Sequence, residues 1–366
     1  MNIRYITSNQ YLKIVIIFIV SYSMFIVPNE LFEYAKNDAW MCIIIVGLSA
    51  ILQILFYQSL TRKFEGKNVV EICEILLGKH IGRLIICIFF AYFILSSAIV
   101  VRRVADFILI IIMPETPIEM IILLFILVVL IGGKYGIVTL GNSSDIFFNL
   151  LTFLFIIVSL LLIPKYEINR ILPVYESNIK DIYKGTLSIS FFSFLDLIAL
   201  FMIYPYIKDI KKARKSLLIG ASIAYVATLK LILACIMILG VETAERQSFA
   251  TFALVKMTGQ EQQIIRFEVL IAIIWLVSIF FKSVIYFYSA GKCLESLFRI
   301  KNYKRMLTPL AVVVYSLSLI ISKNTVELDK WLIETGPIFS FSVTILIPLV
   351  LYFSYKLQFK KFNNIN

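Results

Sequence analysis

Gly185–Lys215 reads GTLSISFFSFLDLIALFMIYPYIKDIKKARK, and its reading decides the fold. As far as Ile207 it carries a single charge, Asp196, and is long enough for a helix to cross the ~30 Å hydrocarbon core of a bilayer. Five Lys and Arg residues follow between 208 and 215, the pattern of a span that ends on the cytoplasmic side. Ser190, Ser193 and Asp196 interrupt the run of Ile, Leu and Phe ahead of Pro205. Such a polar break suggests a helix unwound at the membrane midplane, where freed backbone groups meet a ligand.

Nine further stretches carry no charge or one. They are Ile14–Asn29, Ala39–Thr61, Leu84–Val101, Met120–Gly133, Ile146–Pro164, Ser216–Val241, Val269–Gly291, Met306–Ser322 and Thr335–Tyr355. Ten spans account for the composition: 60% of the 366 residues are hydrophobic, only 16% are charged, and mean hydropathy is +0.92. A soluble domain has a charged share of about a quarter, so a soluble enzyme is excluded, and so is a single-pass receptor. Spans 1 and 4 are short and are expected to recruit neighbours such as Tyr11–Lys13 by snorkelling. Span 1 follows a polar start and lacks a small-residue cleavage site, so it reads as a retained helix.

With the amino terminus inside, Lys and Arg number 20 in the inner connections and 12 in the outer ones, which places both termini in the cytoplasm. The net charge of +12 is then mostly a membrane-facing rim, with no nucleic acid implied. The five cysteines read as small core residues, and a single histidine, His80, makes a structural zinc site implausible. No phosphate-binding glycine motif occurs, no cofactor is expected, and no residue set suggests bond-breaking catalysis.

Long connections fall at 61–83 and 242–268, equivalent positions if spans 1–5 and 6–10 are repeats. Both look amphipathic, through Val69, Ile72, Cys73 and Leu76 in one and Phe249, Phe252 and Val255 in the other. An odd number of crossings inverts the second repeat. The expectation is one all-α membrane domain over 1–366, with repeat one at about 8–165, repeat two at about 183–358, and helices 1 and 6 discontinuous. Span 1 has its own polar interruption, Ser21-Tyr22-Ser23, ahead of Pro28. The alternative is that these serines bond back to their own helix and leave it intact.

Ionisable groups inside a bilayer are costly and tend to mark function. Asp196, Lys230 and Lys282 lie within spans. Asp196 and Lys282 fall at similar depth, so a buried pair is expected, with Lys230 as a rival partner. Ser278, Tyr286 and Ser289 share the helix face of Lys282; Tyr92, Ser96 and Arg103 form a similar stripe on span 3. Spans 1, 3, 6 and 8 would then enclose a cavity fit for a small zwitterion, its carboxylate on Lys282 or helix N–H groups and its amine on Asp196. Helix-to-helix hydrogen bonding is the plainer account of the same stripes.

The ordered motifs resemble the endospore germination permease family, the B subunit of GerA-type nutrient germinant receptors, within the amino acid–polyamine–organocation superfamily. They are Pro28 then AKNDAW (35–40), LLGKHIG (76–82), PETP (114–117), KYGIVTLGNSSDIF (134–147), ILPV (171–174), Pro205 then KDIKKARK (208–215), and RFE (266–268) with Trp275 and an aromatic helix beyond. The resemblance implies a LeuT-like fold and a protein of the spore inner membrane. It implies binding of a nutrient, an amino acid in the first instance, and signalling through an A-type membrane subunit and a lipoprotein C-type subunit. It carries a ligand site onto Ser21, Ser23, Tyr92, Ser96, Phe281 and Lys282; the residue reading adds Tyr22, Ser193, Asp196, Ser278 and Tyr286. Ion-coupled amino-acid transport is the alternative. Many relatives have Gly-x-Gly where Ser21-Tyr22-Ser23 stands, an acid near Ala199 and an arginine at Asn142, departures that bear on which nutrient fits.

Overall fold

The structure is a computed structural model that describes residues 5–23, 27–190, 195–259 and 268–363, with the side chains of 23, 27–30, 258–259 and 359–363 left aside. The helices are α1 (Ser8–Ser23), α2 (Val27–Ala35), α3 (Ala39–Thr61), α4 (Val69–Phe107), α5 (Ile118–Tyr135), α6 (Ile137–Leu162), α7 (Ile179–Ile189) and α8 (Ile198–Phe201). They continue with α9 (Ile210–Leu239), α10 (Val241–Glu245), α11 (Ala250–Gly259), α12 (Glu268–Phe298), α13 (Leu307–Ile320), α14 (Thr325–Glu334), α15 (Gly336–Phe341) and α16 (Ile347–Asn363). Single π-helical turns extend α4 over Ile108–Ile112 and join α15 to α16 over Ser342–Leu346.

Among the described residues, seven helices are long and apolar enough to cross a membrane. An eighth is counted if α13 and α14, bent by 100°, are one span. The expected spans 1 and 6 fall outside this count: the described part of α1 is 16 residues long, and α7 and α8 are short helices with the non-helical Leu195 and Asp196 ahead of α8, so none reaches the ~20 residues a crossing needs. Ser21-Tyr22-Ser23, the expected interruption of span 1, forms the last residues of helix α1, while residues 24–26 and 191–194, Ser193 of the span 6 interruption among them, lie outside the described residues. Leu195 and Asp196 are described, and neither is helical.

Burial orders the bundle. The most apolar window of α12 is 67% buried and that of α6 only 22%, so α12 is central and α6 faces lipid. Leu52, Leu84, Leu124, Ile146 and Val226 are exposed, as an apolar belt requires in a solvent of acyl chains.

The family motifs coincide with structural joints. Gly78 of LLGKHIG takes φ +71 with ψ −174, a backbone region open essentially to glycine alone. There α4 turns a corner between its amphipathic start, which buries Val69, Ile72, Cys73 and Leu76, and the span proper. A Cβ on Gly82 would stand 3.0 Å from the Cys73 carbonyl, so the two arms close tightly. Gly136 of KYG, at φ +93, reverses the chain between α5 and α6. The AKNDAW and ILPV segments dock on one another: buried Asp38 accepts the amides of Tyr175 at 2.7 Å and Ser177 at 2.9 Å. Phe249, Phe252 and Val255, in the second long connection, are buried; Phe249 and Phe252 meet Phe107, and Phe252 also meets Trp275.

Two sequence expectations are corrected. Arg102 and Arg103 do not sit in an outer loop: α4 continues past them and both are buried. Arg102 binds Asp106 at 2.9 Å and the carbonyl of Ser322 at 2.8 Å, and Arg103 pairs with Asp329 of α14, away from any midplane stripe. Lys13 does not snorkel; it pairs with Asp145 of α6 at 2.7 Å, and Tyr11 is buried with its hydroxyl donated to the Leu200 carbonyl.

Candidate functional site

Asp196 and Lys282 are both fully buried and form an ion pair at 2.9 Å. Asp196 stands where the backbone is not helical, just ahead of α8; Lys282 projects from the middle of α12. Tyr286, one turn along the same face, donates its hydroxyl to the same carboxylate oxygen, Asp196 Oδ2. The other oxygen, Oδ1, is buried and accepts no hydrogen bond among the described residues. A carboxylate offers about four acceptor positions, so this face of Asp196 can receive a further donor.

The ammonium of Lys282 is also ringed by aromatic faces, with Phe18 at 4.6 Å, Tyr22 at 5.2 Å and Tyr286 at 5.7 Å from ring centroid to Nζ. Each lies within the ~6 Å range of cation–π attraction. Phe18 and Tyr22 come from the last turns of α1, one turn apart. Span 1, the span 6 break and span 8 therefore converge on one charge pair, as the depth argument requires, and Lys230 is not its partner. Lys230 lies over the Phe155 ring at 5.4 Å.

A second polar cluster supports the break from behind. Gln53 of α3 donates to the Leu195 carbonyl at 3.0 Å and to the Thr344 carbonyl at 3.3 Å, and Tyr57 also donates to Thr344. Thr344 lies in the π-helical turn of the last span, where backbone carbonyls escape the regular ladder. Gln53 and Tyr57 were not singled out in the sequence. Their signal, an amide and a phenol one turn apart in an otherwise apolar span, was present but weaker than a charge.

The remaining expected residues divide. Tyr92 and Ser96 are buried with hydroxyls that have no hydrogen-bond partner among the described residues, and the Tyr92 ring meets Phe339 of α15 at 5.8 Å. Ser21 donates back to the Phe18 carbonyl at 2.7 Å, Ser278 to Ile274 and Ser289 to Ile285, the helix-internal alternative. Phe281 points away from the pair, edge-on to Phe147 of α6 at 5.8 Å, since one residue turns the helix face by about 100°. The side chain of Ser23, and Ser193 altogether, lie outside the described residues.

The contacts that close the two ends of the bundle are polar as well. At the face where α1 begins, Gln10 and Lys13 hold Asp145, and Ile6 pairs with the backbone of Tyr206 and Lys208. At the far face Arg103 holds α14.

These features define a multi-pass membrane protein with a polar centre between helices. Among solved structures the fold is similar to Mhp1, a nucleobase-cation-symport-1 family transporter in a closed conformation with bromovinylhydantoin bound. The TM-score is 0.68 over 90% of this chain and 75% of that one, at 13% identity. The family described as Spore germination protein matches residues 5–326, and the chain belongs to it. Among curated relatives, spore germination protein YndE of Bacillus subtilis (strain 168) is 23% identical over 317 residues, 86% of each chain. Spore germination protein KB of the same organism is 22% identical over 325 residues, 88% of this chain and 86% of its own.

Proposed function

We propose that this protein is the nutrient-sensing membrane subunit of a spore germination receptor. It binds a small zwitterion of the amino-acid class at the Asp196–Lys282 pair and signals to an A-type membrane subunit and a lipoprotein C-type subunit. The observation that carries the reading is the pair itself: two opposite charges, fully buried, at a helix break, with one carboxylate oxygen still able to accept. An amino acid is complementary to such a pair, its ammonium to Asp196 Oδ1 and its carboxylate to Lys282. A ligand that favours one arrangement of the pair shifts the protein between two conformations, which is what a sensor needs.

The same reading includes ten crossings in two inverted halves, about 8–165 and 183–358, in a single domain with both termini in the cytoplasm and the spore inner membrane as its site. The non-helical break ahead of α8 and the two long amphipathic connections support it.

The test is a binding screen of amino acids, sugars and nucleosides against the purified protein. An amino acid should raise the Tm of the parent. Tyr286→Phe, which removes one hydrogen bond to Asp196, should weaken that ligand about tenfold, equivalent to ~1.4 kcal/mol. Stabilisation by a sugar or nucleoside alone, or equal binding by Tyr286→Phe, would overturn the assignment. A second reading, ion-coupled uptake, is favoured by the fold shared with Mhp1. Accumulation of labelled amino acid by vesicles holding this chain alone would select it.

A further inference from the structure

The third intramembrane charge belongs to a different feature. Between α6 and α9, with α1 and α12 as its floor, lies an apolar cavity of about 160 Å³ lined by Ile16, Val20, Leu151, Phe155, Ile223 and Ile274. A smaller recess continues from it, since Phe155 and Ile274 line both. At that end Ser159, Tyr166 and Lys230 join a lining that stays mainly apolar. Ile156, Leu160, Ile223 and Val226, along the two helices that form the mouth, are exposed, so the groove opens toward the acyl chains.

Lys230 is exposed and forms no ion pair with a described residue. Inside a bilayer a lysine at mid-span is costly, and it calls for an anion or a route to the interface. Lys230 stands nine residues before Leu239, the last residue of α9, about 14 Å of helical rise. A lysine stem directed outward covers a good part of that distance. The connection after α6 adds Lys165 and Arg170; Arg170 is ion-paired with Glu167 at 2.8 Å and bonded to the carbonyl of Ile238 at the end of α9. The groove is thus apolar along its length, with the Lys230 cation at one end.

We propose that this groove is a binding site for an anionic phospholipid, with one acyl chain in the cavity and the phosphate on Lys230. The charge complementarity and the apolar lining select this occupant over a soluble anion, which has no use for the cavity, and over a zwitterionic lipid, whose phosphate is already compensated. The bound chain lies against Ile16 and Val20, on the same helix as Phe18 and Tyr22, and against Ser278, one turn before Lys282. Lipid occupancy therefore bears on the back of the central pair.

The experiment measures lipid retained by the full chain in neutral detergent, by native mass spectrometry, after titration with phosphatidylglycerol or phosphatidylcholine of identical acyl chains. The parent should retain phosphatidylglycerol about fivefold better, the Boltzmann equivalent of the ~1 kcal/mol that one lysine contributes near an anionic surface. Lys230→Met should reduce that ratio to near one while keeping the parent's Tm in lipid-free detergent. Ala227→Trp, which fills the cavity from α9, should lower retention of both lipids. Equal retention of the two lipids by the parent, an unchanged ratio in Lys230→Met, or an equal thermal shift with inorganic phosphate alone would overturn the proposal.

Discussion

Lys282 and Lys230 are both lysines in apolar helices, and the structure treats them in opposite ways. Lys282 has no solvent or lipid exposure and is held by a carboxylate and three aromatic rings. Lys230 has one ring beneath it and an open side. The difference teaches that the cost of a charge in a membrane is met either by the protein or by the membrane, and that the choice divides internal sites from surface ones. The other polar contacts fall between these extremes, so burial should order their energetic weight.

The central pair should show the largest effect. Asp196→Asn or Lys282→Met alone leaves one uncompensated charge in the interior and should cost about 3–5 kcal/mol. The double variant Asp196→Asn/Lys282→Met removes both charges and should recover most of the loss. Thermal melts of the four proteins form a double-mutant cycle; additive losses would mean that the two side chains do not act as a pair.

Arg103 is 2% exposed and its partner Asp329 is 39% exposed. Asp329→Asn leaves a buried guanidinium, but one near the end of the bundle and close to water. The expected loss is smaller, about 1–3 kcal/mol, and α14 should become more accessible to a thiol reagent at an introduced cysteine. A variant as stable and as closed as the parent would show that Arg103 does not hold α14. Lys13 and Asp145, 13% and 42% exposed, belong at the weak end of paired charges. Lys13→Met should change stability by no more than about 1 kcal/mol, and less at high salt; a loss as large as that of the central pair would break the ordering by burial.

Much of this was legible in the sequence because hydropathy and charge report directly on the membrane. The apolar stretches match the seven helices, or eight with the bent pair, that are long enough to cross among the described residues, and the contact of Asp196 with Lys282 follows from their similar depth. The motif glycines Gly78 and Gly136 proved to be corners, and Asp38 of AKNDAW a clasp for the Tyr175 and Ser177 amides. What escaped was the partner of each side chain. Ser278 shares the helix face of Lys282 but bonds its own helix, and Phe281, carried onto the site by the family resemblance, turns toward α6. Gln53 and Tyr57 were missed because neutral polar side chains in a span ordinarily act as helix glue. Their role emerges only once the freed carbonyls of Leu195 and Thr344 are seen on the facing elements. Arg102 and Arg103 mark the end of the apolar stretch at Val101 in the sequence, whereas Asp106 and Asp329 let α4 carry both inward.

The smallest effect is expected at Lys230, and it separates the two lysines most cleanly. In lipid-free detergent the micelle interface solvates the Lys230 ammonium, no protein carboxylate is left behind when it is removed, and Lys230→Met retains most of the stem that covers Phe155. Stability should stay within about 0.5 kcal/mol of the parent, as for a substitution away from core and network. A Tm loss comparable to that of Lys282→Met would mean that Lys230 is an internal charge after all and that the groove is not its outlet. A near-neutral change in detergent, combined with loss of the stabilisation that phosphatidylglycerol gives the parent, would place the compensating anion of Lys230 in the bilayer.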